Sequence, residues 1–281
     1  MKNYILTNRQ IVSFRRHLKQ EEREQSTIEK YVRDVRLFEA WLSGRRVTAE
    51  IVTDWKDYLR TKGYKPETIN AKLSALNKFF VFMRWLECRI KYLKIQKKLF
   101  RGTEKELTKG DYVRLLETAD TLRKNRLALL IETICATGIR VSEVRYITME
   151  AVRAGYADVA LKGKIRTILL PAKLCRKLQK YARKQKIASG EIFITRTGKG
   201  VSRRQIWAEM KALCKKAGVA ASKVFPHNLR HLFARTFYRA CRDVAKLADV
   251  LGHSSIETTR IYLISTGKEH TRQLERLGLI L

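Results

Sequence analysis

Three short segments of the 281-residue chain carry side chains suited to chemistry on a phosphate. In Ala136-Thr137-Gly138-Ile139-Arg140-Val141-Ser142-Glu143, Gly138 can end one helix in a left-handed conformation, and Ser142 and Glu143 suit the first turn of the next. Arg140 then stands at a sharp helix–turn–helix junction, where backbone amides and a guanidinium can both bind an anion. By itself it reads as a surface arginine beside an ordinary helix break. In Pro226-His227-Asn228-Leu229-Arg230-His231, a helical turn of about 100° per residue puts His227, Arg230, His231 and Ala234 on one face. Leu229, Leu232, Phe233 and Thr236 fall on the other. Such a helix buries its apolar side and presents a histidine and an arginine together, a pair that can hold two oxygens of a phosphate. His227 and His231 also have the i, i+4 spacing of a metal site, but the Glu of His-Glu-x-x-His and a further ligand are lacking. The third segment runs from Leu251-Gly252-His253 to Thr259-Arg260-Ile261-Tyr262. Gly252 stops the amphipathic run before it, and a helix starting at Ser254 or Ser255 delivers Tyr262 near its end. Taken alone, this is a DNA-reading helix-turn-helix in which Tyr262 packs and His253 caps.

The elements that must position these residues are mostly helical. Ile28, Tyr31, Val32, Val35, Phe38 and Leu42 recur at helical spacing after a cap at Ser26 or Thr27, and Gly44 ends the run. Ile51, Trp55, Tyr58 and Leu59 mark a second helix closing near Gly63; Pro66 opens a third with Ile69, Leu73, Leu76, Phe80 and Met83 along one face. These faces predict a small helical bundle over residues 1–88, with Arg33, Arg36, Lys56, Arg60, Lys72, Lys78 and Arg84 outside, either a solvated face or one turned to DNA. Residues 89–106 are basic, lack a sustained pattern and read as a connector. The second domain, 107–281, opens with a cap at Thr108 and helices near 109–119 and 124–136. Tyr156–Leu161 and Ile165–Leu170 then read as short strands around Lys162-Gly163-Lys164, and helices resume after Pro171. The class is mainly α with a small β-hairpin.

Charge narrows the partner. Sixty Lys and Arg face 27 Asp and Glu, a formal net charge of +33 that a polyanion would neutralise. Because the excess is spread over nearly the whole chain, a broad surface for nucleic acid is favoured over a basic tail. No run of about 18 apolar residues predicts a membrane span, and Met1-Lys2-Asn3-Tyr4 lacks the apolar core of a signal peptide. Five cysteines, Cys88, Cys135, Cys175, Cys214 and Cys241, form no Cys-x-x-Cys pair, which predicts reduced thiols in a cytoplasmic protein.

Together the three segments resemble the tyrosine recombinases, or phage-type integrases. The matching signature is Arg140 in Thr-Gly-Ile-Arg-Val-Ser-Glu, His227 and Arg230 in His-x-x-Arg, His253 in Leu-Gly-His, and Tyr262 nine residues later. The order matches, as does the basic helical domain in front, and the likeness covers about residues 8–275; the two-domain size resembles the simpler Xer-type members. The resemblance implies a SAM-like, core-binding N-terminal domain followed by the recombinase catalytic domain. It also implies a catalytic lysine on the hairpin. Lys162 fits that place, but the family often shows Gly-Lys-Gly-x-Lys-x-Arg where this chain has Leu161-Lys162-Gly163-Lys164-Ile165-Arg166, one residue shorter, so Lys164 is its rival.

The implied reaction is cleavage and rejoining of DNA strands. Tyr262 attacks the scissile phosphate and forms a 3′-phosphotyrosine link. Arg140 and Arg230 hold the non-bridging oxygens, His227 and His253 assist with hydrogen bonds and proton transfer, and Lys162 protonates the departing 5′ oxygen. No metal and no cofactor is called for, and the sequence shows neither a Walker loop nor a carboxylate cluster suited to magnesium. The resemblance further implies two domains clamping double-stranded DNA and a homotetramer on two sites, with accessory DNA-bending proteins as further candidates and no membrane. The C-terminal segment with Leu274, Leu277 and Ile280 docks either on a neighbouring protomer or on its own domain. Two alternatives stand beside this: a type IB topoisomerase that relaxes DNA with related tyrosine chemistry, and a non-enzymatic helix-turn-helix regulator, which accounts for the charge but not for the arginine–histidine pattern.

Overall fold

The computed structural model describes residues 3–95, 106–161, 164–253, 255–263 and 275–277. The chain divides into two compact units, Met1–Lys97 and Lys98–Leu281. The first holds α1 (Asn8–Gln20), α2 (Gln25–Leu42), α3 (Ala49–Thr61) and α4 (Pro66–Phe82), followed by a 3-10 turn, Leu86–Cys88. Thr7 caps α1 through a reciprocal capping box with Gln10. The sequence reading missed this helix, although Ile11, Phe14 and Leu18 repeat at helical spacing and are fully buried. α2 starts one residue before Ser26, with Glu24 at its cap position, so neither expected cap serves. α4 begins at Pro66, where the missing N–H costs nothing. α1 packs on α2, α2 on α4 and α3 on α4 around a core rich in Phe and Trp. Part of the expected connector is tied to this unit: the Asn70 side-chain amide bonds both backbone groups of Leu93, and that of Asn77 both of Ile90.

The second unit opens with α5 (Lys109–Thr121), capped reciprocally by Thr108 and Asp111, and α6 (Asn125–Thr137). A 3-10 turn, Val141–Tyr146, and α7 (Met149–Ala154) lead into β1 (Tyr156–Leu161) and β2 (Lys164–Leu169). The strands pair antiparallel with Tyr156 opposite Leu169 and Leu161 opposite Lys164, so Lys164 belongs to β2. Lys162 lies outside the described residues. Val159 and Ile168 face the core, whereas Ile165 and Leu169 are exposed, the period-two alternation of a one-sided hairpin. Then follow α8 (Ala172–Lys184), α9 (Arg203–Lys216), α10 (Pro226–Cys241), α11 (Val244–Leu251) and α12 (Ile256–Leu263). α10 is the hub, packing on α6, α11 and α12. No helix among the described residues is long and apolar enough to cross a membrane.

Candidate active site

The site is assembled where α6, α10 and the α11–α12 turn meet. Gly138 ends α6 at φ 65°, and a Cβ there would strike the Phe233 ring of α10, so the turn needs a glycine both for its conformation and for its packing. The chain reverses and places Arg140 at the cap of the following 3-10 turn. Glu143, three residues on, accepts from the Arg140 backbone N–H at 2.7 Å and from its guanidinium at 3.0 Å. Glu143 is buried, yet burial, which alone would raise its carboxyl, is outweighed by the Arg140 amide and the two guanidinium groups of Arg140 and Arg166, and the net shift is downward. The second guanidinium comes from β2, where Arg166 bonds Glu143 at 2.5 Å. Arg140 keeps 42% of its side chain exposed, so it is the cation of this group that solvent, or an anion, can reach.

α10 contributes the next side chains, and here the structure corrects an expectation. The His227–Arg230–His231 face is covered at Arg230 and His231, while His227 stays exposed. Arg230 and His231 are buried, with 2% and 5% exposed, because α11 and α12 lie over that face, while Leu229 and Leu232 are buried on the other. A buried guanidinium must find acceptors. Arg230 donates to the Gly138 carbonyl at 2.5 Å and the Leu251 carbonyl at 2.8 Å, the open C-terminal ends of α6 and α11. It also meets His253 Nε2 at 2.9 Å and lies close enough to Tyr262 for the two to interact electrostatically. One arginine thereby joins all three segments.

His253 follows Gly252, which ends α11 at φ 63°. Its Nδ1 lies 2.8 Å from the buried Thr259 hydroxyl of α12. Since Arg230 has only protons to offer, Nε2 must accept, and the imidazole is neutral with its proton on Nδ1. Burial, then the charges of Arg230, Arg140 and Arg166, push the His253 pKa down to about 4. Tyr262 is 5% exposed and packed among imidazoles: ring centroids lie 4.3 Å away for His231, 5.6 Å for His253 and 6.0 Å for His227. His227 and His231 face each other through their Nε2 atoms at 3.1 Å. Among the described residues no group of three or more His, Cys, Asp or Glu is placed to hold a metal ion.

The structure thus brings together Arg140, His227, Arg230, His253 and Tyr262. Lys162 falls outside the described residues, as do Leu274 and Ile280 of the C-terminal segment, whereas Leu277 is exposed. Arg166 was overlooked as a site residue. Its signal lay in strand parity, because it shares the inward face of β2 with Ile168, and an inward arginine needs a buried partner. A cavity of about 630 Å³ lined by Arg123, Lys124, Arg126, Tyr181 and Arg196 sits at the far end of α6 from Arg140 and contains none of the clustered residues.

A family model described as "Phage integrase family" matches residues 105–269, and "Phage integrase, N-terminal SAM-like domain" matches residues 11–87. The chain belongs to the phage integrase family. Among relatives of this family, Tyrosine recombinase XerA of Pyrococcus furiosus is 30% identical over 100% of this chain and 98% of its own. Tyrosine recombinase XerD of Brucella suis biovar 1 is 31% identical over 85% of this chain and 86% of its own. Among solved structures, a lambda integrase (75–356) dimer bound to a COC′ core site is similar with a TM-score of 0.73, covering 92% of this chain and 95% of that one; at 17% identity this is a likeness of fold.

Proposed function

We propose that this phage integrase family member is a site-specific DNA recombinase that cuts and rejoins double-stranded DNA through a covalent 3′-phosphotyrosine intermediate. The observation that carries the reading is the cluster in which Tyr262 meets Arg230, His253, His231 and His227 beside the half-exposed Arg140. A phenol is a poor nucleophile at neutral pH, and its activation needs a proton acceptor and a cationic phosphate site. His227 supplies the acceptor, and His253, held neutral, assists by its hydrogen bond with Arg230. Arg140 and Arg230 supply the charge that stabilises the negative oxygens of the transition state. In the step proposed, the Tyr262 oxygen bonds to phosphorus, the bond from phosphorus to the 5′ oxygen breaks, the phenolic proton passes to a histidine, and Lys162 gives a proton to the 5′ oxygen. Lys164, on β2, is the alternative donor. Attack by another strand's 5′ hydroxyl reverses the step and releases Tyr262.

On this reading residues 1–88 are the core-binding domain, 89–106 a linker and 107–281 the catalytic domain. Four protomers act on two DNA sites in the cytoplasm, with accessory DNA-bending proteins as candidate helpers. The net charge of +33 and the DNA-bound lambda integrase support the DNA partner, and unpaired cysteines support a reducing compartment. The C-terminal segment is proposed to dock on a neighbouring protomer.

The test is adduct formation on a nicked duplex. A pool of nicked duplexes of randomised sequence is put through repeated rounds of capture as wild-type adduct, followed by denaturing electrophoresis. The wild type is expected to give a covalent protein–DNA band and Tyr262→Phe none. A band with Tyr262→Phe overturns the assignment of the nucleophile. No band with either protein returns the chain to the regulator reading, and rapid relaxation of any plasmid to the topoisomerase reading.

A further inference from the structure

We propose that Arg166 is a positioning residue for strand cleavage: it locks the Arg140 turn and the His253 turn to the hairpin, so that both phosphate-binding groups stand in register before DNA arrives. The inference rests on the recombinase reading and deepens it.

Arg166 touches both turns with different nitrogens. One end of its guanidinium bonds Glu143 at 2.5 Å, on the carboxylate oxygen that also receives the Arg140 amide. The other oxygen of Glu143 holds the Arg140 guanidinium. The second Nη of Arg166 donates to the carbonyl of Val250 at 3.1 Å, in the last turn of α11. Its stem runs beneath Gly252, where any Cβ would collide with Cδ. Gly252 therefore does two jobs, ending α11 at φ 63° and leaving room for Arg166 to pass under the residue that precedes His253.

The placement is costly, which argues for a purpose beyond filling space. Arg166 buries most of its side chain, and its Nε has no hydrogen-bond partner among the described residues. Without Arg166, Glu143 would keep, among the described residues, Arg140 alone as its cation, the half-exposed arginine, and that pair could swing as a unit. The Val250 end of α11 would lose its tie to β2, and His253 and the Leu251 carbonyl that anchors Arg230 lie within three residues of it. Neither Arg140 nor His253 would lose its chemistry; both would lose their fixed spacing. Displacement of a catalytic group by about 1 Å costs on the order of 100-fold in rate.

The probe is the duplex recovered from wild-type adducts as above, used nicked for cleavage and intact for binding. At saturating protein, Arg166→Gln is expected to slow single-turnover adduct formation by about 100-fold, whereas affinity for the intact duplex changes less than about threefold, because phosphate-facing charge elsewhere sets it. Arg166→Lys keeps a cation for Glu143 and is expected to recover about tenfold of that loss, as an ion pair without the second, geometrically fixed bond. Adding Glu143→Gln to Arg166→Gln is expected to slow cleavage less than about threefold further, since residues acting as a unit are not additive. A wild-type rate in Arg166→Gln overturns the proposal. So does a fall in binding equal to the fall in rate, with no recovery in Arg166→Lys, which marks a merely structural arginine. Failure of the wild type to form any adduct removes the recombinase reading and this one with it, whereas a wild-type adduct with unchanged Arg166→Gln removes this one alone.

Discussion

The two units differ in what they bury beside their apolar cores. The first closes around Phe14, Phe38, Trp55, Phe79, Phe80 and Trp85, with rings meeting edge-to-face or stacked at centroid distances such as 5.3 Å for Phe14–Phe79 and 5.6 Å for Phe38–Trp55. The second has an apolar core of its own, running from Leu107 through Ile131, Phe193 and Leu213 to Leu232, but where α10, α11 and α12 meet it also buries Arg230, His231 and Thr259, with Glu143 buried on the nearby 3-10 turn, beside a small apolar cluster of Ala234, Leu247, Leu251 and Tyr262. An aromatic core is stabilised by removing apolar area from water and, although its rings prefer stacked or edge-to-face contacts, no ring is left with an unmet charge when a neighbour shifts slightly. A buried polar cluster is stable only while every member keeps its partner, so it fixes positions sharply and is fragile at each of them. The lesson is one of division of labour: the first unit needs only to be a firm scaffold for its basic exterior, whereas the second must hold charged groups at spacings suited to a phosphate.

That contrast can be broken most forcefully at Arg230. Arg230→Met keeps volume but leaves the Gly138 and Leu251 carbonyls buried without their donor. Adduct formation should fall by about 100- to 1000-fold, the usual loss for one donor to a developing oxyanion. Unfolding of the same variant in urea should show about 2–4 kcal/mol of destabilisation of the second unit from the two orphaned acceptors. A variant that loses activity with unchanged stability would show that the carbonyl contacts contribute little and that the cluster is held by packing instead.

Phe38→Ala tests the other side. It removes a ring touching Trp41, Trp55 and Phe80, and should destabilise the first unit by about 3–5 kcal/mol. Adduct formation by the folded fraction at saturating DNA should stay near wild type, because the cluster around Tyr262 is built wholly from the second unit. A fall in the rate of the chemical step as large as that for Arg230→Met would erase the distinction between scaffold and site.

The same contrast governs what could be read from the sequence. Apolar periodicity located α2 to α6 and the hairpin to within a few residues, because those elements exist to bury one face. It missed α1, where mostly polar and basic residues surround Ile11, Phe14 and Leu18. It also misjudged α10. A helix with an apolar and a polar face was expected to turn the polar one outward, but α11 and α12 cover it at Arg230 and His231, leaving His227 exposed, and Arg230 is satisfied by carbonyls 92 and 21 residues distant in sequence. No local pattern encodes such partners. The identities of the clustered residues were legible because catalysis restricts their types and order; their burial, and the strut from Arg166, were not, because these depend on which helix ends converge.

The smallest expected effect is a pH dependence confined to the polar cluster. His253 has its pKa pushed down to about 4 in the folded protein, against about 6.5 for an unperturbed histidine. Between these values the unfolded chain binds the proton that the folded chain refuses, so stability must fall as pH drops from about 6.5 toward 4. Arg230, Arg140, Arg166 and Glu143 are the charged groups acting on the ring, and the three arginines repel the added proton. Glu143 adds to the trend only at lower pH, where its carboxylate begins to take up protons. His253→Gln retains a side-chain acceptor near Arg230 but cannot titrate. Urea midpoints of the second unit measured at pH 7 and pH 5 should therefore diverge more for the wild type than for His253→Gln. Equal pH slopes in the two proteins would mean that His253 takes up its proton readily when folded, and that the arginines around it face solvent more than each other.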